Sequence, residues 1–300
     1  MILFALLFQI LSAQEFNIQQ AKSIEVLATN LNLEVVSGTE TKLRWLCADK
    51  KCKIKPSLKD GKLVVHVESN EKVKLKVPQL PLHIYVKHLT LSLQNWQQDL
   101  KLRGMNVTAN IANTKGVIDI NESLARLKIQ KHSGEIKIDA FDGKVQIANS
   151  KAALTISQFT GLIGLAKVDG NIQVTTQNAD TLIKDSQGKL RFKSAKGQLN
   201  VASFKGDIYG ESKDGRAELS PLAKSTIHWK ADRGEVMVDM QNMSGAKIDV
   251  GSLQGKMQLI PSLKIATEGT WRVARAKPLN SEQGAVLVRT NKASIRMSSE

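Results

Sequence analysis

Aromatic residues make up only 4% of the 300-residue chain, and cysteine, proline and histidine are scarce as well, with two, six and five copies. Five histidines and two cysteines, none at zinc-ligand spacing, leave no metal centre or Cys–His catalytic arrangement to be read from the chain. There is no nucleophile elbow, no phosphate-binding loop and no dinucleotide fingerprint, so no catalytic residue and no cofactor is implied. A nine-residue period is present, but the Gly-Gly-x-Gly-x-Asp corner of calcium-binding β-rolls is missing. Carboxylates are also in deficit: 43 Lys and Arg against 28 Asp and Glu give a formal charge of +15. A surplus of that size suits an acidic partner such as an anionic polymer or a lipid headgroup, although lysines also keep sheet faces and edges soluble.

Long apolar runs are absent beyond the first few residues. Ile2 to Leu11 is apolar but too short to span a bilayer, and small and polar residues follow it. Residues 1–14 read as a secretory signal peptide, and no transmembrane helix is expected after them. An exported chain with a lone cysteine pair, Cys47 and Cys52, is expected to close a disulfide there.

What the chain does have is repetition. From Leu80 to Leu219 a unit of the form Gly-x-Ile-x-Ile recurs every nine residues, as at Gly134–Ile138, Gly143–Ile147, Gly161–Leu165, Gly170–Val174 and Gly197–Val201. Two inward slots are apolar in nearly every unit, and the slot between them is polar except at Leu182 and Tyr209. Alternation of that kind makes a short strand with one face in a core. The corner glycines add a longer period. Gly116, Gly143, Gly170 and Gly197 step by 27, as do Gly134, Gly161, Gly188 and Gly215, whereas the third phase carries Ala125, Ala152, Ala179 and Gly206. Three nines per turn give two glycine corners and one that is mostly alanine. The expected fold is therefore all-β, a right-handed parallel β-helix (β-solenoid), three-sided with about 27 residues per coil. Phe141, Phe159, Phe192 and Phe204 are expected to fill its core or corners.

Ahead of the repeat, residues 15–78 contain irregular strands closed by Pro78 and Pro81 and are expected to form an N-terminal cap. The solenoid covers 79–260, with register slips after Leu219, and 261–300 form the C-terminal cap.

The opening strands Ile24-Glu-Val26 and Leu33-Glu-Val-Val-Ser-Gly38, the Lys76–Leu82 hand-over and the ladder after it resemble the "putative adhesin" family of exported bacterial β-helix proteins, whose domain is also described as a head GIN type. The resemblance spans most of the chain after residue 14. It implies a β-helix at the cell envelope with no established enzymatic activity, and it carries no catalytic motif.

Sorted by a 27-residue coil, the outward slots give an amide row, Ser92, Asp119, Gln146, Gln173 and Asn200, and two basic rows. The candidate binding residues are Lys101, Arg103, Lys128, Lys137, Lys189, Arg191 and Lys193. Rows a strand spacing apart suit a repeating acidic polymer such as an acidic polysaccharide. The functional expectation is an exported, periplasmic or surface-located, adhesin-like protein that binds envelope material. The alternative is a β-helix lyase or hydrolase of acidic polysaccharide, and nucleic acid is disfavoured as a partner by the export signal and sparse exposed aromatics.

Overall fold

The computed structural model describes residues 14–38, 41–48, 52–69, 71–279 and 283–299; residues 1–13 of the expected signal segment lie outside them. The described chain is all-β. In order, the strands are β1 (Gln14–Asn17), β2 (Ser23–Gly38), β3 (Lys42–Cys47), β4 (Lys53–Lys59), β5 (Lys62–Glu68), β6 (Lys72–Pro78), β7 (Leu82–Gln94), β8 (Leu100–Lys184), β9 (Gln187–Pro221), β10 (Thr226–Asp239), β11 (Lys247–Ser252), β12 (Met257–Gln258), β13 (Ala266–Glu268), β14 (Trp271–Ala276), β15 (Ala285–Thr290) and β16 (Ser294–Ser298). All belong to one open, mostly parallel sheet. The 85 residues of β8 form one strand that bends at left-handed corners such as Asn113, Lys131, Asn149 and Lys167.

The parallel pairing steps by 18 residues, not by 27. Leu82 pairs with Leu100 and Leu93 with Ile111, while Ile172 pairs with Leu190 and Ile183 with Val201, all in parallel. Contacts inside β8 keep the same step: Thr114 Oγ1 lies 2.9 Å from His132 Nδ1, and the rings of Phe141 and Phe159 stack at 4.9 Å. Each turn thus holds two nine-residue units. The first ladder contains Leu82, Leu100, Leu190 and Ile208, and the second contains Leu91, Leu127, Leu199 and Leu219.

The glycine phasing pointed to 27 because it assumed that each corner repeats one residue type. The corners are mixed. Ala125 and Gly143 occupy one column, and Gly143 takes φ 134° with a hypothetical Cβ only 1.9 Å from the Ala125 carbonyl oxygen. Alanine enters the same column with an ordinary φ and buries its methyl group at Ala125 and Ala179, as it does at Ala152 in the other glycine column. A second corner carries the 18-residue period openly. Asn95, Asn113, Lys131, Asn149, Lys167, Asp185 and Ser203 all have φ between 50° and 56°. Asn and Asp tolerate this left-handed conformation better than most residues, which explains their share of the column.

The interior is aliphatic, as the alternation required. Ile118, Ile120, Ile136, Ile138, Ile172 and Val174 are at most 2% exposed. Phe192 and Phe204 are buried with them, but Phe141 and Phe159 sit on the outside of a corner, 58% and 49% exposed. Phe141 and Phe159 are one turn apart at an outward position, so they stack on each other instead of filling the core.

Both ends reverse the order of the chain. At the N-terminal end, β2 lies between β7 and the later pair β5 and β6. At the C-terminal end, β15 and β16 lie between β10 and the earlier pair β11 and β12. The outermost parallel strands then take antiparallel partners: β4 covers β5, β3 covers β6, and the β13–β14 hairpin covers β11. Strand β4 carries Pro56 and three lysines, Lys53, Lys55 and Lys59, at an edge where further pairing would be harmful. Cys47 and Cys52 form a disulfide, Cα–Cα 6.1 Å, between β3 and the start of β4. Residues 261–300 therefore supply strands inside the stack as well as covering hairpin strands.

Candidate functional site

A concavity of about 650 Å³ opens on the first ladder where β8, β9, β10 and β15 meet. Two outward columns run through it, one residue per strand. One holds Gln173, Arg191, Tyr209, His228 and Leu287; the next holds Thr175, Lys193, Glu211, Lys230 and Arg289. An aromatic and apolar strip therefore lies beside a mainly cationic one, at the inter-strand spacing of about 4.8 Å.

The packing underneath is unusual for this chain. Gly210 occupies an inward slot, and a Cβ there would lie 2.0 Å from Trp229 Cζ3. The missing side chain admits the indole of Trp229 from the next strand, and that ring packs on Phe192 at 6.0 Å. Above this floor the phenol of Tyr209 stacks on the imidazole of His228, with centroids 5.0 Å apart and planes at 12°. The Lys189 ammonium sits 4.9 Å from the Tyr209 centroid, where the face of the ring attracts a cation. A chain with few aromatics has placed five aromatic or imidazole rings about one spot, counting Trp271 next to it.

The charges differ in how far they are committed. Lys193 reaches Glu211 only at 4.0 Å, while Arg289 pairs with Asp249 at 2.8 Å and donates to the Asp249 carbonyl. That pairing, together with Arg275, holds the Asp249 carboxyl below its ordinary range against the opposite pull of burial. Arg191 and Lys230 make no ion pair among the described residues. Their charge is available to a ligand. A second hollow of about 440 Å³ shares Lys193, Glu211, Lys230 and Arg289 and is bounded by Trp271 of the β13–β14 hairpin, so the groove continues toward the C-terminal end.

Of the residues picked from the sequence, Arg191 and Lys193 line this groove and Lys189 flanks it. Lys101, Arg103 and Lys137 lie on the same ladder farther toward the N-terminal end. Arg103 is bound to Asp119 at 2.6 Å and Lys137 to Glu135 at 3.0 Å. Lys128 falls on the other ladder, in the column of Ser92 and Asn110. The amide row of Ser92, Asp119, Gln146, Gln173 and Asn200 does not exist as a row, because an 18-residue turn puts Asp119 and Gln173 on one ladder and the rest on the other. Tyr209, His228, Lys230 and Arg289 were missed. Tyr209 carried a signal, as one of two apolar residues in an outward slot; the others depend on the 19- and 59-residue pairing offsets around β10.

Two ionisable side chains are buried away from the groove. Glu122 is 4% exposed with no hydrogen-bond partner on either carboxyl oxygen, and burial pushes it up to about 8 despite the opposing charge of Arg103. His132 is held by Thr114 and by burial, which lowers its basicity. No group of three or more His, Cys, Asp or Glu capable of holding a metal occurs among the described residues.

No protein-family model matches the chain, and no curated protein matches it. Two solved structures align along most of its length. A "putative cell adhesion protein" from Clostridium sporogenes aligns over 95% of this chain and 99% of its own at 10% identity with TM-score 0.20. A "putative adhesin" from Bacteroides fragilis covers 96% of both chains at 10% identity with TM-score 0.36. Likenesses at this level carry no argument about what this chain does.

Proposed function

We propose that the chain is a right-handed, two-sided β-solenoid of the adhesin-like kind, exported to the periplasm or cell surface, that binds an acidic polysaccharide along the groove of the first ladder. The observation that carries this reading is the strip of Tyr209, His228 and Leu287 beside the cations of Lys193, Lys230 and Arg289, with Arg191 unpaired at its end. Sugar rings present apolar faces to stack on aromatics, and uronate or sulfate groups present the opposite charge to the adjacent column. Columns with one residue per strand repeat regularly, as a polymer does. The handedness follows from the crossover preference of parallel strands. Segments 15–78 and 261–300 serve as the caps of the stack, and the disulfide accords with an oxidising compartment.

Binding to polygalacturonate and alginate, measured against neutral dextran, tests the proposal. Tyr209→Ala, or Arg191→Ala with Lys230→Ala, should weaken binding to the acidic polymers about tenfold or more, the scale of losing stacking or one desolvated charge contact. Equal binding to dextran, or unaltered binding by both variants, would overturn it. Unsaturated sugar products accumulating in the same mixtures would convert the binder into a lyase.

A further inference from the structure

Apolar side chains on the outside of this protein are not scattered. Of the large hydrophobic residues left exposed, Met105, Leu124, Phe141, Phe159, Leu162 and Leu182 all fall within five consecutive turns. They lie at the corner leading out of the first ladder and on the adjoining columns of the second, clear of the groove. Phe141 and Phe159 form the centre, with rings stacked at 4.9 Å and within 5° of parallel. Exposed apolar side chains at this corner gain nothing for the fold, since the core beneath is already closed by Ile129, Val145 and Ile147.

The same part of the second ladder carries Arg126, Lys128 and Lys144, exposed and without an ion pair among the described residues. Of the nearby carboxylates, Asp142 accepts from the Gly143 amide at 2.6 Å, Asp180 accepts from the Gln198 amide at 2.9 Å and Asp139 is exposed, and none of the three forms an ion pair with these cations among the described residues. A second copy of this chain would meet the patch with its own cations, so a symmetric dimer is opposed by charge. A surface that is both apolar and negatively charged satisfies both features.

We propose that this corner docks on an anionic lipid bilayer, with Phe141 and Phe159 entering the headgroup region and Arg126, Lys128 and Lys144 resting on the lipid phosphates. Aromatic rings are favoured at that depth, and basic residues within a Debye length of an anionic leaflet each add attraction. The groove on the other ladder stays free for its own ligand.

Co-sedimentation with vesicles of phosphatidylglycerol and phosphatidylcholine, compared with phosphatidylcholine alone, decides the matter. Binding is expected to the anionic vesicles only. Phe141→Ser with Phe159→Ser, and separately Lys128→Glu with Lys144→Glu, should each reduce it at least tenfold, the latter from roughly fivefold per lost cation. Both changes are on exposed side chains, so thermal midpoints and polysaccharide binding should hold. Equal binding to the neutral vesicles, or binding unaffected by both double variants, overturns the proposal. So does a dimer in solution that the Phe variant abolishes, since a second copy would then own the surface.

Discussion

The middle of the molecule and its two ends are built from the same strands in opposite ways. From β7 to β9 each turn pairs with the turn 18 residues later, so a strand's neighbour is always close in sequence. At the ends the neighbour is far away. Strand β2 pairs with β7 at an offset of 58, and β10 pairs with β15 at an offset of 59. The chain leaves the stack, lays down an outer turn and a covering antiparallel strand, and returns. The middle is closed by local repetition and the ends by a return of the chain, because a parallel stack has two open edges that no further repeat can satisfy.

This contrast can be broken most severely in the core. Ile136→Asp puts an unpaired carboxylate between buried turns and should cost about 4 kcal/mol or more, enough to unfold the whole stack. The matching change at the end, Ile295→Asp, should release β16 and its neighbours while the middle persists. Hydrogen exchange separates the two: uniform loss of protection for the first, loss confined to residues beyond about 226 for the second. Identical patterns would mean that the ends and middle unfold as one unit.

Next in size is Gly143→Val. Its Cβ would collide with the Ala125 carbonyl, and a β-branched residue resists φ 134°, so a loss of about 3 kcal/mol or more is expected by chemical denaturation. Gly269→Val in the β13–β14 turn is the end-region control. A Cβ there meets nothing within 4 Å, leaving only the cost of φ +60°, about 1 kcal/mol.

Glu122→Gln sharpens the comparison through pH. The folded carboxyl titrates at about 8 and the unfolded one near 4.5, so the folded state binds the proton more tightly. Its contribution is intact below pH 4.5 and is lost as pH rises toward 8. The neutral amide should therefore leave stability unchanged at pH 4 and raise it by about 3 kcal/mol at pH 7, with the increment confined to the middle turns. A gain independent of pH would show that the carboxyl is solvated. Smaller than the Glu122 effect is that of the pair Cys47→Ala with Cys52→Ala. Opening so short a loop should cost about 2 kcal/mol, seen as faster exchange in β3 to β6 with β8 and β9 unaltered.

Much of this was legible in the chain. The nine-residue period, the inward Ile and Val slots and the disulfide each follow from local rules, and each was readable. The number of nines per turn was not. Mixed Gly and Ala corners can be phased at 27 as easily as at 18, and the column of Asn95, Asn113, Lys131 and their successors reveals its positive φ only in three dimensions. The outward exceptions were more telling than the rule. Leu182 lies in the exposed patch around Phe141 and Phe159, and Tyr209 lies in the groove.

The sequence by itself determined that alternating strands would turn at regular corners around an aliphatic interior, because side-chain alternation and corner glycines act over a few residues. Only the tertiary structure decided which strand lies against which. Hydrogen-bonded register over 18, 58 or 59 residues depends on how the whole stack packs, and it is this register that gathers Arg191, Tyr209, His228 and Lys230 into one groove and sends Lys128 to the other side.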